Sequence, residues 1–161
     1  MKISFDQRGN LKPYNIIELD IEEFQKYFVQ EFRNSITREI IFDDYLTYIN
    51  DFKKDVTPNF IQWINGSFVT RKENPKDIDF LTIIDFQIYE AKAKLMDNQF
   101  RNPIAKAKYK LDAYTLKSYP LDHKNRFITE YDLLYWENWF GTTKMNRAKK
   151  KFSKGFIQIQ F

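Results

Sequence analysis

Asp77-Ile78-Asp79 follows the dipeptide Gly66-Ser67 after nine intervening residues. In extended backbone alternate residues share a face, so the two carboxylates point one way while Ile78 and Phe80 turn the other way, toward a core. Carboxylates that close repel unless one is protonated or a cation joins them. Hard oxygen donors favour Mg2+ or Mn2+, and magnesium commonly takes one or two carboxylates while substrate phosphates fill other positions. Gly66 permits close approach of the backbone, and Ser67 offers a hydroxyl and an amide to phosphate oxygens. Together these residues suit a metal-bound nucleoside triphosphate. The competing reading is a pair of solvated turns, because Asp-x-Asp and Gly-Ser are both common in loops; the apolar, strand-like segments on either side favour the chemistry.

A third carboxylate is available at Asp112. Residues 108–116 alternate enough to predict a strand with Asp112 in its middle, beside Lys110 and Tyr114 on one face. An Asp at the centre of a strand is disfavoured and costly if unpaired, so something must compensate it. If this strand neighbours the Asp77 strand, Asp112 completes a three-carboxylate cluster able to hold two metals. The alternative is an exposed strand face on which Asp112 pairs with a lysine.

The elements that position these residues alternate between helix and strand. Asp20 and Glu23 form a capping pattern ahead of an apolar stripe of Ile21, Phe24, Tyr27 and Phe28. A second helix is expected over residues 37–52, with Ile41, Tyr45, Ile49 and Phe52 on one side. A strand through Trp63, the motif loop and a strand over residues 78–84 follow. Ile88, Ala91 and Leu95 predict a helix over residues 86–98, which Asn102-Pro103 terminates. Thr129 and Asp132 look like the start of another helix, with Leu133, Trp136 and Phe140 on a core-facing side. In the final GFIQIQF, Ile157, Ile159 and Phe161 alternate with glutamines as a half-buried strand should. The fold class is α/β (α+β): one domain over residues 1–161, a mixed β-sheet with helices packed against it.

Composition narrows the chemistry. A chain of 161 residues is long enough to bury a real core, and its 16 Phe, 10 Tyr and 3 Trp supply much of that core in an otherwise polar sequence. Absence of Cys removes disulfides, thiolate metal sites and Cys nucleophiles. The single His123 cannot build a histidine-rich zinc site, and its polar surroundings suggest a solvated loop. Nothing resembles the nucleophile elbow of a serine hydrolase. No run reaches the length of a membrane span and the first residues lack the apolar core of a secretory signal, so no membrane partner and a cytoplasmic location are expected.

The Gly66-Ser67, Asp77-Ile78-Asp79 and Asp112 set resembles the nucleotidyltransferase fold of the DNA polymerase beta superfamily, particularly its minimal single-domain bacterial members. More specifically, the chain is similar to a family of small uncharacterised bacterial nucleotidyltransferase-like proteins. The likeness is carried by FDQRGNLKP at residues 5–13, Trp63 to Phe68, Pro75 to Asp79, and Lys154-Gly155 ahead of a strand. It spans nearly the whole chain, although only the central motif is chemically specific. The resemblance implies metal-dependent transfer of a nucleoside monophosphate from a triphosphate to an acceptor. Gly66 and Ser67 would grip triphosphate oxygens, Asp77 and Asp79 would bind Mg2+ or Mn2+, and Asp112 would be the third metal ligand and activate the acceptor hydroxyl. Arg71 and Lys72, in the loop after Gly-Ser, would neutralise the triphosphate, or else belong to a solvated basic loop.

Residues 144–154 carry six cations, a large part of the net charge of +4. Such a run attracts triphosphate or RNA, or is simply a solvated connection; Lys154, beside Gly155 and the last strand, is its candidate phosphate ligand. The acceptor is a partner protein, an RNA or a small molecule. No second domain is present to hold a template or tRNA, which favours a protein or small acceptor, such as a partner encoded nearby in a toxin-antitoxin or phage-defence pair. The rival readings are a non-catalytic antitoxin-like or regulatory module of the same fold, and an RNA-binding protein that uses residues 144–154.

Overall fold

The computed structural model describes residues 3–161. Strands β1 (Ser4–Phe5) and β2 (Leu11–Lys12) form a small hairpin, and β3 (Ile16–Glu18), β4 (Ile61–Asn65), β5 (Asp79–Asp85), β6 (Asp112–Ser118) and β7 (Phe156–Gln160) form a five-stranded sheet. The sheet order is β3-β7-β4-β5-β6. It is mixed: β3 with β7 and β5 with β6 run parallel, whereas β4 is antiparallel to both β5 and β7.

Period-two alternation divides the sheet's side chains between two cores. On one face Ile64, Phe80, Ile84, Ala113, Ile157 and Ile159 join Phe24 and Phe28 and the buried side of α2 (Arg38–Asp55), which presents Ile41, Tyr45, Tyr48, Ile49 and Phe52. On the other face Trp63, Leu81, Leu116 and Phe156 meet Phe140, Leu133 and Trp136 of α6 (Arg126–Phe140). The one polar network inside the first core is satisfied within itself: Tyr45 Oη donates to Gln62 Oε1 at 2.5 Å and Gln62 Nε2 to Thr82 Oγ1 at 2.9 Å.

Several local expectations stand. Asp20 caps α1 (Ile21–Gln25), accepting the Glu23 amide at 2.7 Å while Glu23 accepts the Asp20 amide, and the chain continues as a π-helical turn over Lys26–Gln30. Ile157 and Ile159 are buried as expected, but Phe156 is buried too, because β7 lies inside the sheet with a core on each face.

Other boundaries differ. The expected helix over 86–98 is broken into α3 (Phe86–Ala91), α4 (Ala93–Leu95) and a π-helical turn over Met96–Phe100 that buries Met96 and Phe100. Residues 108 and 109 are not extended: they end α5 (Ile104–Tyr109), whose last turn buries Tyr109, and Lys110 closes it at φ +60. Asp112 therefore opens its strand instead of sitting in the middle. Helix α6 begins at Arg126, not Thr129, since the Thr129 hydroxyl is committed to the buried strand end, accepting the Tyr119 amide at 2.9 Å and donating to Lys117 O at 3.1 Å. His123 is half-buried between Phe86 and Tyr119, with ring centroids 4.7 and 4.8 Å away.

Candidate functional site

Strand register brings the predicted acids together. Asn65 on β4 pairs with Asp79 on β5, and Asp79 pairs with Asp112 on β6. The three side chains form one row across three adjacent strands, on the face that α6 covers. The next row inward is Trp63, Leu81 and Tyr114, so a polar row caps an apolar floor. Asp77, two residues before Asp79, shares that side, while Ile78 and Phe80 are fully buried on the other.

Gly66 sits directly against Asp79. Its φ is +79, a conformation that favours glycine, and a Cβ there would overlap Asp79 Oδ2 and lie 2.7 Å from Asp79 Cγ. Burial, then the neighbouring Asp77 and Asp112 carboxylates, push the Asp79 carboxyl above the usual carboxylate range, with Lys154 and Lys144 pulling the other way. Asp112 is held from outside the row: Asn102 Nδ2 donates to its Oδ1 at 3.1 Å, and Lys106 Nζ reaches both of its oxygens at 2.9 and 2.8 Å. The same ammonium lies 3.6 Å from Asp77 Oδ2, and these carboxylates, Asp112 first, raise its pKa.

The acids open into a cleft of about 780 Å³. Gly66, Ser67, Lys72, Asp77, Asp79, Asp112 and Lys154 all line it, as does Lys106. Arg71 does not: its amide donates to Gly9 O at 2.9 Å and its guanidinium lies 5.7 Å from the Phe5 ring centroid, away from the acids. The far wall comes from Trp139 and Phe140 of α6 and from the segment after it, where Thr143 N donates to Phe152 O and Thr142 bridges Ser153. Residues 144–154 are thus more than a solvated connection, for Lys144, Lys151 and Lys154 all face the cleft.

Lys154 is only 7% exposed. Its amide donates to Gly141 O at 2.9 Å, and the next residue, Gly155, is clamped by its amide to Leu11 O at 2.8 Å with no room for a Cβ beside Pro13 O. This clamp fixes the ammonium in the cleft wall, where burial pushes its pKa down to about 8 despite the attraction of Asp79.

Three contributors escaped the sequence reading. Arg38, 1% exposed, organises the loop between Gly66-Ser67 and the acids: its guanidinium donates to the carbonyls of Phe28, Phe68, Thr70, Lys72 and Glu73 at 2.6 to 3.2 Å. Five donors meet five carbonyls, which leaves no guanidinium N–H unsatisfied. Burial lowers its pKa to about 10, still far above neutrality. Lys106 was missed because residues 104–109 read as a connection and strand, not a helix. Asn65 hides in an apolar strand; it is 7% exposed, and its Oδ1 is one of two buried side-chain polar atoms without a partner among the described residues, the other being Thr115 Oγ1.

The donors suit a hard divalent cation chemically. All are oxygens, and Asn65 Oδ1 is an orphaned acceptor beside Asp79 on the cleft wall. With Lys106 drawn onto Asp112, no group of three or more His, Cys, Asp or Glu side chains among the described residues is gathered closely enough to hold a metal ion.

The chain belongs to a family of unknown function, DUF6932, whose model matches residues 3–160. Comparison with curated proteins and with solved structures yields no match. No helix among the described residues is long and apolar enough to cross a membrane.

Proposed function

We propose that the chain is a metal-dependent nucleotidyltransferase that moves a nucleoside monophosphate from a triphosphate to a hydroxyl acceptor on a partner protein, an RNA or a small molecule. The observation that carries this reading is the row Asn65, Asp79, Asp112 at the mouth of a cleft, with Gly66 pressed against Asp79. Asp77, Asp79 and Asp112, with Asn65 Oδ1 beside them, would hold Mg2+ or Mn2+. When bound, the cation would supply charge neutralisation for the triphosphate and the attacking oxygen.

The chain's own residues account for the rest. Ser67 and the backbone at Gly66 offer donors to the triphosphate, and Lys154, Lys144 and Lys72 supply positive charge on the cleft wall. The acceptor oxygen forms a bond to the α-phosphorus while the bond from that phosphorus to the bridging oxygen breaks, and pyrophosphate leaves. The acceptor's proton passes to a carboxylate of the row, Asp112 being the one at its open end. Lys106 must let go of Asp112 for this to happen, and as a half-exposed side chain on a six-residue helix it can swing toward the triphosphate.

The Lys106 pair with Asp112 favours a second reading: a nucleotidyltransferase-like module that binds phosphate without transferring it, the lysine standing where a cation's charge would be. Incubation with labelled triphosphates, Mg2+ or Mn2+ and candidate acceptors separates the two. Transfer of label by the native chain and its loss in Asp77→Ala/Asp79→Ala supports the enzyme; labelling that survives both substitutions rules it out.

A further inference from the structure

Helix α6 has a second aromatic face that the sheet does not use. Tyr131, Leu134, Tyr135 and Trp139 recur at helical spacing and are 74, 67, 56 and 41% exposed. Tyr135 and Trp139 lie with ring centroids 5.9 Å apart, and Trp139 stacks on the half-buried Trp136 at 4.9 Å, which anchors the outer rings to the core side of the helix. A contiguous exposed patch of this kind marks a binding surface.

The surroundings say what it binds. These residues, with Asn138 and Lys151, line a groove of about 470 Å³. Trp139 and Lys151 also line the carboxylate cleft, so the groove and the cleft share a wall. Beyond Glu137 the chain contains no Asp or Glu, while Lys144, Arg147, Lys149, Lys150 and Lys151 follow in the segment that edges the groove. Of the acids flanking the exposed face, Glu130 is paired with Arg126 at 3.3 Å. Planar rings beside a one-signed basic edge match a polyanion with exposed planar faces: bases stack on aromatic side chains while cations track the phosphates. A duplex hides its base faces and gains nothing from the rings, and an apolar protein helix gains nothing from the lysines.

We propose that α6 and the basic segment at residues 144–151 form a binding surface for single-stranded nucleic acid, which passes Trp139 toward the carboxylate cleft. The surface stands on α6 and the lysines alone; only its use as the path of an acceptor strand rests on the nucleotidyltransferase reading.

The test is fluorescence anisotropy of labelled single-stranded RNA and DNA about a dozen nucleotides long, and of a duplex of the same sequence, titrated with the full chain over a salt series. Single strands are expected to bind, to quench tryptophan fluorescence, and to outcompete the duplex. Tyr131→Ala/Tyr135→Ala, at exposed positions that leave the fold's melting transition in place, should weaken binding about tenfold or more. Lys150→Gln/Lys151→Gln should flatten the dependence of log K on log salt by about 1. Asp77→Ala/Asp79→Ala should bind the strand at least as tightly as the native chain, so failed transfer and failed strand binding are read separately. Absence of strand binding, equal binding of duplex, or indifference to the tyrosine pair would overturn the proposal, as would a surface that captures only protein.

Discussion

Gly66 and Asp79 are in contact across the β4–β5 pair: the glycine's missing side chain is the space that the aspartate carboxylate fills. The two halves of the sequence motif are thus one object, a left-handed backbone turn whose exposed surface is completed by a carboxylate. Its neighbours in register, Asn65 and Asp112, extend that object into a row.

Gly66→Ala should be among the most damaging single substitutions in the chain. It combines a φ of +79 with overlap on Asp79, and strain of this kind costs about 2–3 kcal/mol. Chemical denaturation should show a correspondingly lower midpoint, and triphosphate binding should fall with it because Asp79 must move.

Arg38→Met should release the loop that joins Gly66-Ser67 to Asp77. The substitution strands five carbonyls that the guanidinium now satisfies, a loss on the order of 3–5 kcal/mol. Arg38→Lys recovers part of it at best, since an ammonium has three donors in place of five. Limited proteolysis within residues 68–75 checks the local nature of the effect: cleavage there should precede global unfolding in the Met variant only.

The contrast between Asp79 and Arg38 marks what was legible in the sequence. Alternation of Asp77 and Asp79 with the buried Ile78 and Phe80 is a local, period-two signal and reads directly from the residues. So do the Asp20 capping box and the buried stripe of α2. The Asn65, Asp79, Asp112 row depends on which strands are neighbours and in what register, a long-range pairing that period alone does not encode. Arg38 looks like an ordinary surface residue at a helix start, and only the return of residues 68–73 over it converts it into a buried hub. Residues 108 and 109 misled in the other direction: Lys-Tyr-Lys-Leu alternates like a strand, yet burial of Tyr109 beside Tyr48, 5.2 Å between ring centroids, selects helix. The outer face of α6 was likewise invisible, because an exposed tyrosine and a buried one are the same letter.

Lys106→Met should free Asp112 and Asp77 from their present cation. Affinity for Mn2+ in the absence of nucleotide is expected to rise about tenfold, the scale of one removed competing charge pair in a half-exposed site, measured by calorimetry. An unchanged Mn2+ affinity would show that the lysine does not compete for the acids.

Lys154→Met should separate stability from binding. Burial lowers the pKa of this lysine from 10.5 to about 8, so the folded chain holds the proton less firmly than the unfolded one. Stability attached to this group therefore rises as pH climbs from about 8 toward 10.5, where the unfolded chain keeps the proton longer. The methionine variant should lose that rise and gain about 1 kcal/mol at pH 7, part of the relief being cancelled by the isolation of Asp79. Triphosphate affinity should nonetheless fall about tenfold. Thermal melts over a pH series and nucleotide titrations check the two halves.

The most direct measurement of the central claim is calorimetric titration of a nucleoside triphosphate into the chain with Mg2+ or Mn2+ and with chelator, repeated on Asp77→Ala/Asp79→Ala. The account predicts binding that needs the metal and disappears in the double variant while the variant's melting transition persists. Triphosphate binding of equal strength with chelator present, or retained in full without the two aspartates, would contradict it.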